Sequence, residues 1–124
     1  MRYIVDGMNV IGTRPDHWWR DRAAARRKLV QGLSAVAGDA AITVVFDGRP
    51  EAGELDEAAG SGVTVRFAPG GPNAADDVIA SCVGDDPEPS SLIVVTSDNA
   101  LAGKVRTLGA AVMASKAFRQ QLDR

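Results

Sequence analysis

The stretch YIVDGMNVIG, residues 3–12, starts as an apolar run of Tyr3, Ile4 and Val5 and changes character at Asp6, Gly7 and Asn9. A short Ile/Val run closed by Asp-Gly reads as a β-strand. Because the run is continuous rather than alternating, it fits a strand buried on both faces, as in a parallel sheet covered by helices on each side. A carboxylate and a carboxamide at the end of such a strand are costly for stability. Their presence points to chemistry.

The pattern recurs along the chain. AITVVFD (41–47), VTVRFA (63–68), SLIVVTSD (91–98) and AAVMA (110–114) read as further strands. Helix-period segments separate them: DRAAARRKLVQGLSAVAG (21–38), NAADDVIASCVG (73–84), NALAGKVRTLG (99–109) and SKAFRQQLD (115–123). Gly38 is expected to close the first of these, and Asn73 and Ser115 to cap the second and fourth. The polar, glycine-rich DGRPEAGELDEAAGSG (47–62) reads as a long mobile loop. The expectation is an α/β domain spanning residues 1–124, with a mostly parallel five-stranded sheet flanked by helices on both faces.

Composition excludes several classes. With 45% apolar residues in 124 the chain can bury a real core, and a net charge of -2 gives no global basic character. The basic residues are nevertheless concentrated: Arg20, Arg22, Arg26, Arg27 and Lys28 fall within nine positions. Cys82 is the single cysteine, so no internal disulfide forms, which suits a reducing compartment; its apolar surroundings read as packing. No run approaches the ~20 apolar residues of a membrane span, and no leader precedes the first strand. A soluble cytoplasmic protein is expected.

Three of the strands end in aspartate: Asp6, Asp47 and Asp98. In an open parallel sheet those carboxyl ends line the crevice where ligands bind. Asp76 and Asp77 stand at the start of a helix that opens at the same edge. With Ala75, Val78, Ile79, Cys82 and Val83 as the buried stripe, a step of about 100° per residue puts Asp76 beside the stripe and Asp77 nearly opposite. Asp76 is the inward candidate and Asp77 the second. Each aspartate alone has a structural explanation as a helix cap or a turn residue. Four carboxylates at one edge would repel each other unless cations neutralise them. Such hard oxygen donors suit Mg²⁺ or Mn²⁺, and a phosphate-containing substrate.

Other chemistries lack support. His17 stands alone and reads as packing or capping. The chain has no Walker loop, dinucleotide fingerprint, zinc pair or nucleophile elbow. In the first long helix Leu29, Val30, Leu33, Val36 and Ala37 form the apolar stripe, and helical steps backwards reach Arg26 and Arg22. A core-side arginine there needs an anion, either Asp6, Asp47 or a substrate phosphate. Arg20, Arg27 and Lys28 read as a solvated face. Trp18 and Trp19 read as a hydrophobic staple for this helix or as a platform on which bases stack.

The segments YIVDGMNVIG, Ala25-Arg26, VVFDG, NAADDVIA, VVTSD and GAAVMASKAF occur in an order that resembles the NYN domains, PIN-like metal-dependent ribonucleases, and within them the YacP-like branch. The resemblance covers nearly the whole chain and rests on the ordered set rather than on one motif. Met8 departs from the tyrosine common in that family, and the chain is shorter than many YacP-like members. The resemblance implies a PIN-like three-layer fold. It also implies an endoribonuclease using Mg²⁺ or Mn²⁺ held by Asp6, Asp76 and Asp98 with Asp47 close by. Asn9 and Ser97 would orient a water or a phosphate oxygen. Arg26 would steady the substrate, with Arg22 and Asp77 as further contacts. Single-stranded RNA is the expected partner; homo-oligomerisation and ribosome association stay open. Two alternatives stand beside this reading. One is a phospho-receiver-like signalling module, which the length and α/β pattern fit but the lone Asp6 does not. The other is a catalytically inactive RNA- or partner-binding NYN domain.

Overall fold

The structure, a computed structural model, describes residues 2–71 and 73–124. Its strands are β1 (Arg2–Asp6), β2 (Ala41–Asp47), β3 (Thr64–Ala68), β4 (Leu92–Val95) and β5 (Ala111–Met113). Helices α1 (Gly7–Ile11), α2 (Arg22–Ala37), α3 (Glu54–Ala59), α4 (Ala74–Asp85), α5 (Asn99–Thr107) and α6 (Ser115–Leu122) connect or follow them. Short 3-10 turns cover Trp18–Arg20 and Pro89–Ser91. No helix among the described residues is long and apolar enough to cross a membrane.

Every strand pairing is parallel, in the order β3-β2-β1-β4-β5. The chain therefore winds outward from β1 to one side, then crosses back and continues through β4 to the other. Between β1 and β4 the connections diverge, and the carboxyl ends there open a crevice. The order also removes the receiver-like reading, because that fold places the third strand beside the first, in the order 2-1-3-4-5.

Strand periodicity divides the core into two layers. Val5, Ile42, Val44, Phe46 and Val95 point to one face and pack with Val10, Ile11, Leu29, Val30, Leu33 and Phe118 of α1, α2 and α6. Ile4, Val45, Leu92 and Val94 point to the other face, against Ala75, Ile79 and Val83 of α4 and Leu101 and Val105 of α5. Alternation continues past the apolar residues. Asp6 follows Ile4 by two positions, Asp47 follows Val45 and Thr96 follows Val94, so all three belong to the α4 side.

Local expectations failed at several points. The segment expected to be a mobile loop contains α3, whose Glu54 is buried. Asn73 sits at the N-cap of α4 with φ 67° but makes no side-chain cap bond, and Ser115 is the first residue of α6 rather than its cap. Val36 is 51% exposed and falls off the apolar stripe of α2, which continues to Ala37. Cys82 is only half-buried and accepts a hydrogen bond from Arg66 at 2.9 Å.

Gly7 explains why an Asp-Gly pair closes β1. It is buried, and a Cβ there would lie 2.4 Å from the ring of Phe46, which is fully enclosed, and 3.0 Å from Val44. A close approach, not a turn requirement, selects glycine here. Gly7→Ala should lower stability by about 1–3 kcal/mol through overpacking, a loss readable by denaturant unfolding. Gly32→Ala, where a Cβ meets nothing within 4 Å, serves as the control and should be neutral or slightly stabilising.

Candidate active site

Asp6 ends β1 at the crevice and is 5% exposed. It occupies the N-cap position of α1 without a side-chain cap bond, so capping does not account for it. Its Oδ2 instead accepts from the Thr96 hydroxyl at 2.8 Å, and Thr96 Oγ1 in turn accepts from the Asp98 N–H at 3.1 Å. This relay joins the ends of the two strands that flank the switch point. Burial pushes the Asp6 carboxyl up to about 6; the Thr96 hydrogen bond opposes the rise, and the negative charges of Asp76, Asp47 and Asp98 add to it. The other three carboxylates expected at this edge thus all make themselves felt at Asp6.

Asp76 lies in the first turn of α4, half-buried, while Asp77 is exposed. Helical phasing had separated the two in this way. Asp76 is also raised from its ordinary value, first by burial and then by Asp98, Asp47 and Asp77, with the Lys104 ammonium opposing. Asp47 and Asp98 carry structural duties with one oxygen each. Asp47 Oδ1 accepts from the Ala75 N–H at 3.1 Å, taking over the capping of α4 expected of Asn73. Asp98 Oδ1 accepts from Leu101 N–H at 3.0 Å and caps α5. The cap explanation open to any strand-end aspartate holds locally for Asp98, whereas Asp47 caps a helix 28 positions away; the second oxygen of each remains.

Asn9 braces the site. Its Oδ1 accepts from the Ser97 N–H at 2.9 Å and from the Ser115 hydroxyl at 2.6 Å. Ser97 Oγ accepts from the Ser115 N–H at 2.9 Å. The loop after β4, the start of α6 and α1 are locked together through these three side chains. Ser97 was expected to orient a ligand; its oxygen is turned to Ser115.

The arginines depart from expectation. Arg26 is 6% exposed, but its partner is Glu54 of α3 rather than Asp6 or Asp47. Nε and Nη2 donate to the two carboxylate oxygens at 2.6 and 2.7 Å, and the guanidinium lies 5.4 Å from the Phe67 ring centroid. Arg22 is exposed, with its guanidinium 5.3 Å from the Trp18 ring centroid. The helix begins at Arg22 itself, so in this first turn no neighbouring layer covers it. Arg27 is half-exposed and donates to Glu57 at 2.8 Å. Glu54 escaped the sequence reading because it lies in a stretch that looks like loop. Thr96 escaped it, and Ser115 read only as a helix cap, because Asp6 and Asn9, which accept from their hydroxyls, lie about ninety or more positions away. Strand parity with Val94 is the signal that marks Thr96.

Among the described residues no group of three or more acidic, histidine or cysteine side chains is drawn together as a ready-made cation cage. The donor set at the crevice is nonetheless all carboxylate oxygen; the charges that reach Asp6 are all negative, and at Asp76 the Lys104 ammonium offsets them only in part. That chemistry fits a hard divalent cation that keeps several waters rather than one enclosed by protein.

An all-parallel sheet with carboxylates gathered at its switch point is the architecture of PIN-like nuclease domains. The chain belongs to the YacP-like NYN domain family, which it matches over residues 3–124. The crystal structure of Rae1 (YacP) from Bacillus subtilis is similar in fold, with a TM-score of 0.79 at 23% identity, covering 99% of this chain and 74% of that one. A tryptophan-to-leucine mutant of the same Bacillus protein gives 0.76 at 21% identity, with coverage of 99% and 74%. A comparison with curated proteins found no match.

Two tests follow from this geometry. In metal-free protein the raised Asp6 carboxyl contributes stability below about pH 4 that is lost as pH rises through about 6. Asp6→Asn should therefore match wild type near pH 4 and exceed it above pH 6, by up to about 3 kcal/mol for a shift of about two units; chemical denaturation across that range reads the difference. Glu54→Ala leaves a buried guanidinium without its counter-ion and should cost about 3–5 kcal/mol, whereas replacing both partners by apolar residues, Arg26→Met with Glu54→Leu, should come close to neutral.

Proposed function

We propose that this protein is an endoribonuclease that hydrolyses RNA phosphodiester bonds with a divalent cation, Mg²⁺ or Mn²⁺, held by Asp6, Asp76 and Asp98. The single observation that carries the reading is the Asp6 carboxylate. It is buried, has no capping role, and is surrounded by three further acids at the ligand-binding edge of the sheet. A fold has no reason to keep such a group for its own stability. Membership of the YacP-like NYN family points the same way.

When bound, the cation would supply a water of lowered pKa and neutralise charge developing on the phosphate. The chain's own residues do the rest. Thr96 fixes the Asp6 rotamer through its hydroxyl, so that one carboxylate oxygen is held and the other is presented to the crevice. Asp98, anchored by its cap bond to α5, is positioned in the same way. Asn9, with Oδ1 already taken by Ser97 and Ser115, has its amide nitrogen left as a donor for a phosphate oxygen. Lys104, whose charge is felt by Asp76, would balance the negative charge of a bound phosphate. Arg26 acts at one remove, by holding α3 against α2.

Cleavage of single-stranded RNA in Mn²⁺ should fall about a hundredfold or more in Asp6→Asn, on the order of 3 kcal/mol of transition-state stabilisation. Mn²⁺ should raise the melting temperature of wild type but not of the variant. RNA binding without cleavage by wild type under any divalent cation would instead favour an inactive binding domain.

A further inference from the structure

The turn preceding α2 holds an aromatic group that the catalytic reading does not use. Trp19 is 54% exposed although it is among the largest apolar side chains in the protein. Two aromatic rings pack beside it. The His17 ring lies 5.1 Å from it, and Trp18 meets it edge-on at 6.0 Å while packing against the core itself. Arg22 covers Trp18 at 5.3 Å. His17 adopts a left-handed backbone, φ 57° and ψ 35°, a region in which histidine is enriched among non-glycine residues. Core packing accounts for Trp18 but not for Trp19, whose ring stays more than half exposed.

The surrounding charge is strongly biased. Residues 14–28 contain six basic and two acidic residues in a chain whose net charge is -2. The two acids are engaged: Asp21 caps α2 through the Ala24 N–H, and Asp16 approaches Lys28 at 3.7 Å. Arg26 and Arg27 pair with α3, and Arg14 with Asp123. Arg20 and Arg22 have no acidic partner among the described residues, and both are exposed. The topology also sets where this cluster lies. β2 starts at Ala41 beside Arg2, at the amino edge of the sheet, so α2 runs towards that edge and begins at the carboxyl edge. Trp19 therefore lies at the edge of the sheet that carries Asp6.

We propose that Trp19, backed by His17, is a subsite on which an unpaired base of a single-stranded nucleic acid stacks, with Arg20 and Arg22 on the flanking phosphates. The proposal rests on the nuclease reading only in taking RNA as the strand. Stacking on a tryptophan face requires a base released from its own helix, and arginines beside it serve a polyanion. A duplex offers the phosphates but not the base face, so the subsite selects single strands. It would lead the strand across the end of the sheet towards the carboxylates.

Binding of a labelled short uridine oligomer to metal-free protein, followed by fluorescence anisotropy, tests this without cleavage. Wild type should bind the single strand more tightly than a duplex of the same length. Trp19→Ala should weaken single-strand binding about tenfold while Trp19→Phe retains most of it, as expected when a ring face is used. Arg20→Gln with Arg22→Gln should flatten the salt dependence. Unchanged melting temperatures would show that the variants remain folded. No binding by wild type, equal binding of duplex and single strand, or an unaffected Trp19→Ala overturns the subsite. Failure of the two readings is separable. Cleavage in Mn²⁺ that is indifferent to Trp19 removes the subsite alone, whereas Trp19-dependent binding without cleavage removes the nuclease alone.

Discussion

Removing the Asp6 carboxylate from water at the end of the central strand is the constraint on which the rest of this structure turns. An ionised carboxylate buried to this degree is tolerable only if it is hydrogen-bonded and its charge is answered. Thr96 answers the first need from the neighbouring strand. The second need is unmet within the protein, because the acids closest in influence, Asp76, Asp47 and Asp98, are of the same sign. The fold thus stores electrostatic tension where the sheet splits. Sites that bind charge strongly are built this way, at the expense of the unliganded state.

Holding that arrangement requires stiffness, and it comes from side chains distant in sequence. Gly7 lets the backbone after Asp6 sit against Phe46, which keeps the first turn of α1 on the core. Asn9 then joins α1 to the loop beyond β4 and to the start of α6. On the far side, Asp47 holds the first turn of α4, and with it Asp76, through the Ala75 N–H. Asp6 and Asp47 are thus tied to elements other than their own, whereas Asp98 caps the helix that follows it. Substituting one of these ties should therefore affect geometry at the crevice before it affects the core.

The Arg26–Glu54 pair plays a different part. It sits buried between α2 and α3, satisfied on both carboxylate oxygens, and Glu54 also accepts from the Glu51 N–H. Burial alone would raise the Glu54 carboxyl, but the Arg26 hydrogen bonds hold it below its ordinary value. A buried ion pair of this kind adds little net stability and instead dictates which segment packs where. Here it orders a polar, glycine-rich stretch that composition alone would leave mobile. Of the remaining cations, Arg27 also pairs with α3 through Glu57, while Arg20 and Arg22 face outward.

How much of this was legible beforehand divides along one physical line. Interactions within one element follow periods that a sequence displays directly. The Ile/Val runs therefore identified the five strands and their parallel character, and helical phasing separated Asp76 from Asp77. The gathering of strand-end aspartates followed from the same logic, since parallel strands all end at one edge. Interactions between elements depend on strand order and register, which no local period encodes. That is why the partner of Arg26 was misjudged, why Asp47 rather than Asn73 caps α4, why Thr96 went unnoticed, and why Ser115 reads in sequence as a cap rather than as a brace for Asn9. Sequence alone determined which groups carry charge and towards which edge they lie. Tertiary structure decided which of those charges are paired and which are left for a ligand, because a pairing exists only once the layers have closed.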